Sequence, residues 1–434
     1  MAILRRGCGT HTGPFRFAVA QVESVPMRSS IATLALTAAL GACGGAAAPA
    51  GEGSGAGGGG SCLGSDLLAS LGKSRVMVGY SGDDSVAALA PFDLRYVYLA
   101  GGLFDGQGPC ASCASGCTAA GTSCAGGGCG WWGCWQWDQL PPGQYALDFA
   151  AKAGADGEIP MFTYYEILQA SGVSEGTPEV TSAARDPAFM ARYLADWRFL
   201  LGRVGSGKAL LHVEPDFWGY AEQAGGDPHA LPAAVASANP TDCAGEEDSI
   251  AGLGRCMISM VRRYAPNAKV GLHASGWGTG YDVLQNSNAS FDVAGQAATL
   301  GAFLRACGAD QGDFVAADMS DRDAGTRHNW FDATNATLPD FHQAFAWAKG
   351  VAEAVGRPVL WWQIPLGNAS LAPANQDNRV DYLLTHVGEV AASHGVGLAF
   401  GAGAAGQATP STDNGNFVSR AKSYYAAGGV PYCP

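Results

Sequence analysis

The chain has 434 residues, 47% of them hydrophobic and 15% charged, with a formal net charge of −13 at pH 7. That supply of apolar residues can build a sizeable core. The acidic balance disfavours nucleic acid and anionic membrane surfaces as partners and leaves room for neutral ligands such as glycans.

Residues 1–26 read as an upstream extension, because Met27-Arg28 makes a better basic start for the apolar run Ile31 to Ala42. Twelve residues are too few to span a bilayer and suit the core of a signal peptide, which sets 1–42 aside from the fold. The run ends in Leu40-Gly41-Ala42-Cys43, which resembles the lipobox of bacterial lipoproteins. That resemblance implies Cys43 as the lipidated first residue of an exported, membrane-anchored protein. Gly44 in place of Asp resembles the pattern sorted to the outer membrane of Gram-negative bacteria. The alternative is an ordinary secretory signal cut elsewhere. Residues 43–61 are nearly all Gly, Ala, Ser and Pro, too poor in burial to fold, and are expected to be a flexible tether. The segment before Cys43 carries four Arg and one Glu, a net of +3, so without it −13 becomes about −16. No other segment approaches a transmembrane span.

Thirteen cysteines support export. Cys8 and Cys43 lie outside the expected fold of 62–434, leaving eleven, an odd number, so at least one thiol is free or its partner is missing. Six crowd one segment: Cys110, Cys113, Cys117, Cys124, Cys129 and Cys134. Cys62 and Cys433 bracket the domain and would staple its ends if paired; Cys243, Cys256 and Cys307 complete the set.

From Arg75 onward, short apolar runs alternate with amphipathic stretches. Strands are expected at 75–81, 94–100, 159–165, 209–217, 268–275, 313–319, 358–364 and 396–402. Helical periodicity marks 143–154, 187–203, 247–264, 293–307, 338–355 and 376–394, with a weaker signal at 413–427. Asp186-Pro187 supplies an N-cap and a first-turn proline. Eight strands, each followed by a helix or a long loop, describe a single (β/α)8 barrel of the α/β class. The competing architecture is an open doubly wound sheet, but no glycine-rich phosphate fingerprint follows the first strand.

A Cys/Trp-rich loop over 101–140 follows the second strand and is long enough to suggest function. It includes Trp131, Trp132, Trp135 and Trp137, whose flat rings suit stacking on sugars or capping the barrel mouth. The most informative stretch is 209–219, where His212, Glu214 and Asp216 fall at alternate positions, with Trp218 behind. A strand has a period of two, so all three are expected on one side. Other strand ends offer Asp83 and Asp84, Glu166, His273, Asp318, Asp321 and Asp323, and Trp361-Trp362-Gln363. Crowded carboxylates shift one another's pKa, so one stays a proton donor while another is ionised, as glycoside hydrolysis requires. Plainer roles compete: Asp83 as a turn residue, Asp321 and Asp323 as loop caps or partners of Arg322 and Arg327, and both histidines as interior hydrogen-bonding groups.

In this layout, over about residues 73–430, the chain resembles the (β/α)8 glycoside hydrolases. In the large retaining clan of that fold an Asn-Glu pair ends strand four and a second Glu ends strand seven. Here Val213-Glu214 and Gln363 stand at those places. A neutral amide cannot form the glycosyl ester, so carboxylates on strands four and six fit better: Glu214 or Asp216 with Asp318. The resemblance implies Glu214 as general acid, with Asp318, Asp216 or Glu166 as partner. It implies a carbohydrate substrate contacted by His212, Trp218, His273, Trp131, Trp132, Trp135, Trp137, Trp361, Trp362, Gln363 and Asp83. No cofactor and no metal are expected. Two other readings are a non-catalytic glycan-binding lipoprotein and a metal-dependent hydrolase using His212, Glu214 or Asp216, His273 and Asp318. The last lacks the paired histidines usual on strand one of such barrels.

Overall fold

The computed structural model describes residues 62–82, 84–105 and 134–432. The expected signal, tether and Cys43, most of the Cys/Trp loop with Trp131 and Trp132, and Asp83 and Cys433 lie outside them.

Eight parallel strands close into a barrel in sequence order: β1 (Met77–Tyr80), β2 (Leu94–Ala100), β3 (Ile159–Tyr165), β4 (Leu210–Val213), β5 (Lys269–Ala274), β6 (Phe314–Asp318), β7 (Val359–Ile364) and β8 (Gly395–Phe400). β8 pairs with β1 to complete the ring. This is a (β/α)8 barrel, and the doubly wound alternative is excluded. The strands are near-continuous runs of buried residues, because one face fills the barrel and the other packs under helices. Phe162 faces outward to Phe149, whereas Thr163 faces inward to His212. Trp361 turns outward to Trp347, and Trp362 inward to Tyr96 and Tyr98.

The outer helices include Gln144–Ala155, Pro187–Val204, Phe217–Gly225, Ile250–Tyr264, Val293–Ala306, Phe341–Val355 and Asn416–Ala426. Their starts follow local chemistry. Asp186 accepts from the Ala188 N–H at 2.9 Å ahead of Pro187, and Ser249 accepts from Gly252 N–H at 3.1 Å. Each such cap contributes about 1 kcal/mol. The single helix expected across 376–394 is two, Arg379–Thr385 and Val387–Ala392, because His386 between them leaves helical geometry at φ −123°, ψ 33°.

Cys243 and Cys256 form a disulfide, Cys62 and Cys134 each take part in a separate disulfide, and Cys307 is a free, buried thiol. No described helix is long and apolar enough to cross a membrane.

Candidate functional site

The alternation that brings His212 into the barrel stops at Val213. β4 ends there, and both Glu214 (φ +49°) and Asp216 (φ +69°) adopt left-handed backbone around Pro215. Two such turns in three residues send the side chains apart, so His212, Glu214 and Asp216 do not share one side. This corrects the period-two expectation; the strand signal ran four residues past the strand.

Glu214 turns into the layer between barrel and helices and is fully buried. Its Oε1 accepts from the N–H groups of Glu166 (3.0 Å) and Ile167 (3.1 Å) and from Tyr193 O–H (3.0 Å). Tyr193 belongs to the outer helix Pro187–Val204. Burial lifts the Glu214 pKa to about 8 against those three donors. Glu166 lies in the same pocket, accepting from Trp135 Nε1 at 3.2 Å. Its pKa is raised by burial and then by Asp196 and Glu214. Asp196 is itself held by Tyr164 O–H (2.8 Å), Gln136 Nε2 (2.9 Å) and Phe104 N–H (2.7 Å). Glu166 and Glu214 therefore form, with Asp196, a buried acidic knot behind the barrel wall, and not the expected cleft residues.

Asp216 and Asp318 converge instead. Asp216 is partly exposed and receives Tyr165 O–H at 3.4 Å. Its pKa is raised to about 7, first by burial and then by the Asp318 and Glu175 carboxylates, against the opposing pull of His273 and the Tyr165 hydroxyl. Asp318, whose side chain is 23% exposed, contacts His273 Nε2 at 3.2 Å. Tyr98 lies within the electrostatic reach of both aspartates and donates its hydroxyl proton to Gln363 Oε1. Gln363 has φ +53° where β7 and β8 lose register, so it sits at a bulge in the last stretch of pairing before β7 ends at Ile364.

The strand ladder explains the rest. Thr163 stands opposite His212, His212 opposite Gly271, His273 opposite Ala316, and Asp318 opposite Trp362. Stepping two residues along β5 and β6 keeps each side chain inward and climbs toward the mouth. The result is a chain of contacts: Thr163 Oγ1 to His212 Nδ1 at 3.2 Å, His212 Nε2 to His273 Nδ1 at 3.0 Å, and His273 Nε2 to Asp318 Oδ1 at 3.2 Å. Trp362 meets both imidazoles edge-on, at 4.6 and 5.7 Å between centroids. His212 is wholly buried, so its expected role as a ligand contact is corrected to an interior one.

The tryptophans separate in the same way. Trp135, Trp218 and Trp361 are fully buried. Trp218 donates to the Val213 carbonyl at 3.0 Å, and Trp361 packs on Trp347 outside the barrel. These three are core rings, not sugar-stacking walls. Trp362 is buried inside the barrel, and Trp137 stacks on Phe104 at 5.2 Å. Sequence reasoning missed Tyr98, Tyr165, Tyr220 and Trp277. Trp277, partly exposed after β5, lies 4.7 Å from Tyr220, whose hydroxyl donates to Glu175 at 3.0 Å. A tryptophan directly beyond the His273 strand end was a legible signal for that wall. Asp321 pairs with Arg322 and Arg327, and Asp323 accepts from Asn375 and Ala408, the plainer roles considered for both. Asp84 pairs with Arg95 and Lys152. Among the described residues no group of three or more His, Cys, Asp or Glu side chains has metal-holding geometry.

No family model matches the chain, and no curated protein matches it. Solved structures do. An endo-β-1,4-mannanase double mutant from Cellulomonas fimi aligns at 12% identity and TM-score 0.47, over 84% of this chain and 74% of its own. A Bacteroidetes-affiliated GH5 cellulase aligns at 10% identity and TM-score 0.45, over 82% and 92%. The endoglucanase Cel6 from Mycobacterium tuberculosis aligns at 14% identity and TM-score 0.26, over 50% of this chain, which spans 55% of that enzyme. The barrel stands on the strand pairing above, and the chemistry on this chain's own residues.

Proposed function

We propose that this barrel is a glycoside hydrolase acting on a neutral poly- or oligosaccharide, with Asp216 as general acid and Asp318 as the ionised partner. One observation carries the reading. Two carboxyl groups from β4 and β6 approach each other at the strand ends, and one has its pKa raised to about 7 by burial and by the other's charge. A carboxyl that keeps its proton near neutrality can protonate a leaving glycosidic oxygen. The second carboxylate, in contact with His273, would stabilise the developing positive charge at the anomeric carbon or activate its acceptor. Tyr220 near Asp216, with Trp277 against it, offers aromatic surface, while the buried Tyr165 donates its hydroxyl to Asp216. Assaying release of reducing ends from a panel of neutral polysaccharides tests the reading. It expects turnover in the wild type and a loss of about a hundredfold or more in Asp216→Asn, with ligand binding retained.

A non-catalytic glycan-binding role is favoured by a single feature, Gln363 at the end of β7, where its amide accepts from Tyr98. Saturable binding without any reducing-end release across the panel would select that role.

Export and membrane anchoring through Cys43 belong to the same proposal. The apolar run 31–42, the lipobox-like 40–43 and the Gly/Ala/Ser tether support them. Metabolic labelling with a radioactive fatty acid in a Gram-negative host should mark the chain, and Cys43→Ser should abolish the label. Labelling that persists in the variant would move the anchor elsewhere.

A further inference from the structure

Resting on the reading in which Asp318 is the ionised carboxylate, we propose that Thr163, His212 and His273 form a one-way hydrogen-bond relay that orients Asp318. Thr163 and His212 would thus be positioning residues for the reaction, though neither reaches the mouth.

The direction follows from donor and acceptor inventory. A carboxylate can only accept, so His273 must present Nε2–H to Asp318 across 3.2 Å. The relay further requires a neutral His273, whose bare Nδ1 accepts from His212 Nε2–H at 3.0 Å. Burial holds the His212 pKa well below its ordinary value, so that ring is neutral with one proton. That proton is on Nε2, leaving Nδ1 to accept the Thr163 hydroxyl at 3.2 Å. Every polar atom along the line is satisfied in one arrangement of protons. No net charge enters the barrel, yet each dipole points its positive end at Asp318.

Packing removes the competition. Thr163 and His212 are fully buried, His273 is 1% exposed, and Trp362 lies edge-on to both rings. Water therefore has no access from which to flip a ring or supply an alternative donor. A protonated His273 would reverse both lower bonds, placing protons on Nδ1 of each ring and making Thr163 the acceptor. The two arrangements are spectroscopically distinct.

The test is ¹⁵N NMR of histidine-labelled full chain near pH 7, paired with kinetics of Thr163→Val and Thr163→Ser. The relay requires bare Nδ1 and protonated Nε2 on both His212 and His273. Thr163→Val should lower kcat about tenfold with KM within about twofold, and Thr163→Ser should restore kcat. A proton on Nδ1 of either ring, or wild-type kcat in Thr163→Val, overturns the proposal. The wild-type spectrum decides the relay even if the valine variant does not fold. Should no polysaccharide be hydrolysed while both tautomers are as stated, the glycosidase reading fails and the relay stands.

Discussion

Glu214 and Asp216 are two residues apart and sit in opposite environments. Glu214 is locked by three donors inside the wall, whereas Asp216 lies at the mouth beside a second carboxylate. Because Asp216 must be protonated to act as an acid, kcat/KM should fall as pH rises through about 7. Asp318→Asn removes a like charge that raises the Asp216 pKa, so any residual activity should show its alkaline limb at lower pH. An unmoved limb in that variant would separate the two groups. Glu214 predicts a stability effect instead. It titrates near 8 in the fold and near 4.5 in the unfolded chain. Between those values the fold keeps the proton and the unfolded chain has lost it. The stability it supports is therefore fully present below about pH 4.5 and declines toward pH 8. Glu214→Gln has no proton to lose and can accept the same three bonds. Its melting temperature should vary less across that window by calorimetry, with hydrolysis preserved. A wild-type slope, or loss of turnover, would contradict this placement.

At the scale of elements, the strands were legible because buried parallel strands read as unbroken apolar runs, and seven of the eight expected spans agree with their strands to within two residues at each end. The fourth was not. Its sequence keeps alternating through 217, but Pro215 between two left-handed residues ends the strand at Val213. Periodicity reports side-chain character, and backbone handedness at a non-glycine residue leaves no mark in it. The tryptophans show the same limit. Trp361 and Trp362 are adjacent and look alike in sequence, but the pleat sends one to the helices and the other into the barrel. The Cys243–Cys256 disulfide ties the segment before Ile250–Tyr264 to that helix across a separation of 13 residues. Replacing both cysteines with serine should cost about 3 kcal/mol in denaturant unfolding. A change within error would mean that the surrounding packing alone holds the segment.

For the described barrel as a whole, β8 pairs with β1, and the segment 424–432 is tied to the residues around β1. Tyr424 donates to the Val76 carbonyl at 2.7 Å and Tyr425 to Asp93 at 2.8 Å, while Tyr432 N–H bonds to Ser74 at 3.0 Å. These long-range contacts were invisible in sequence, since nothing local pairs residue 76 with residue 424. The barrel class was visible, and so was the idea of carboxylates on strands four and six. The choice between Glu214 and Asp216 needed the third dimension. Glu166, Asp196 and Glu214 lie behind the barrel wall, and Asp216 and Asp318 make a simpler pair at the mouth. The most direct measurement is therefore the rate of reducing-end release from a neutral polysaccharide by wild type, Asp216→Asn and Glu214→Gln side by side. Near-complete loss is expected in Asp216→Asn and near-normal turnover in Glu214→Gln; the reverse order would place the reaction at Glu214 and contradict the assignment of Asp216 as the acid.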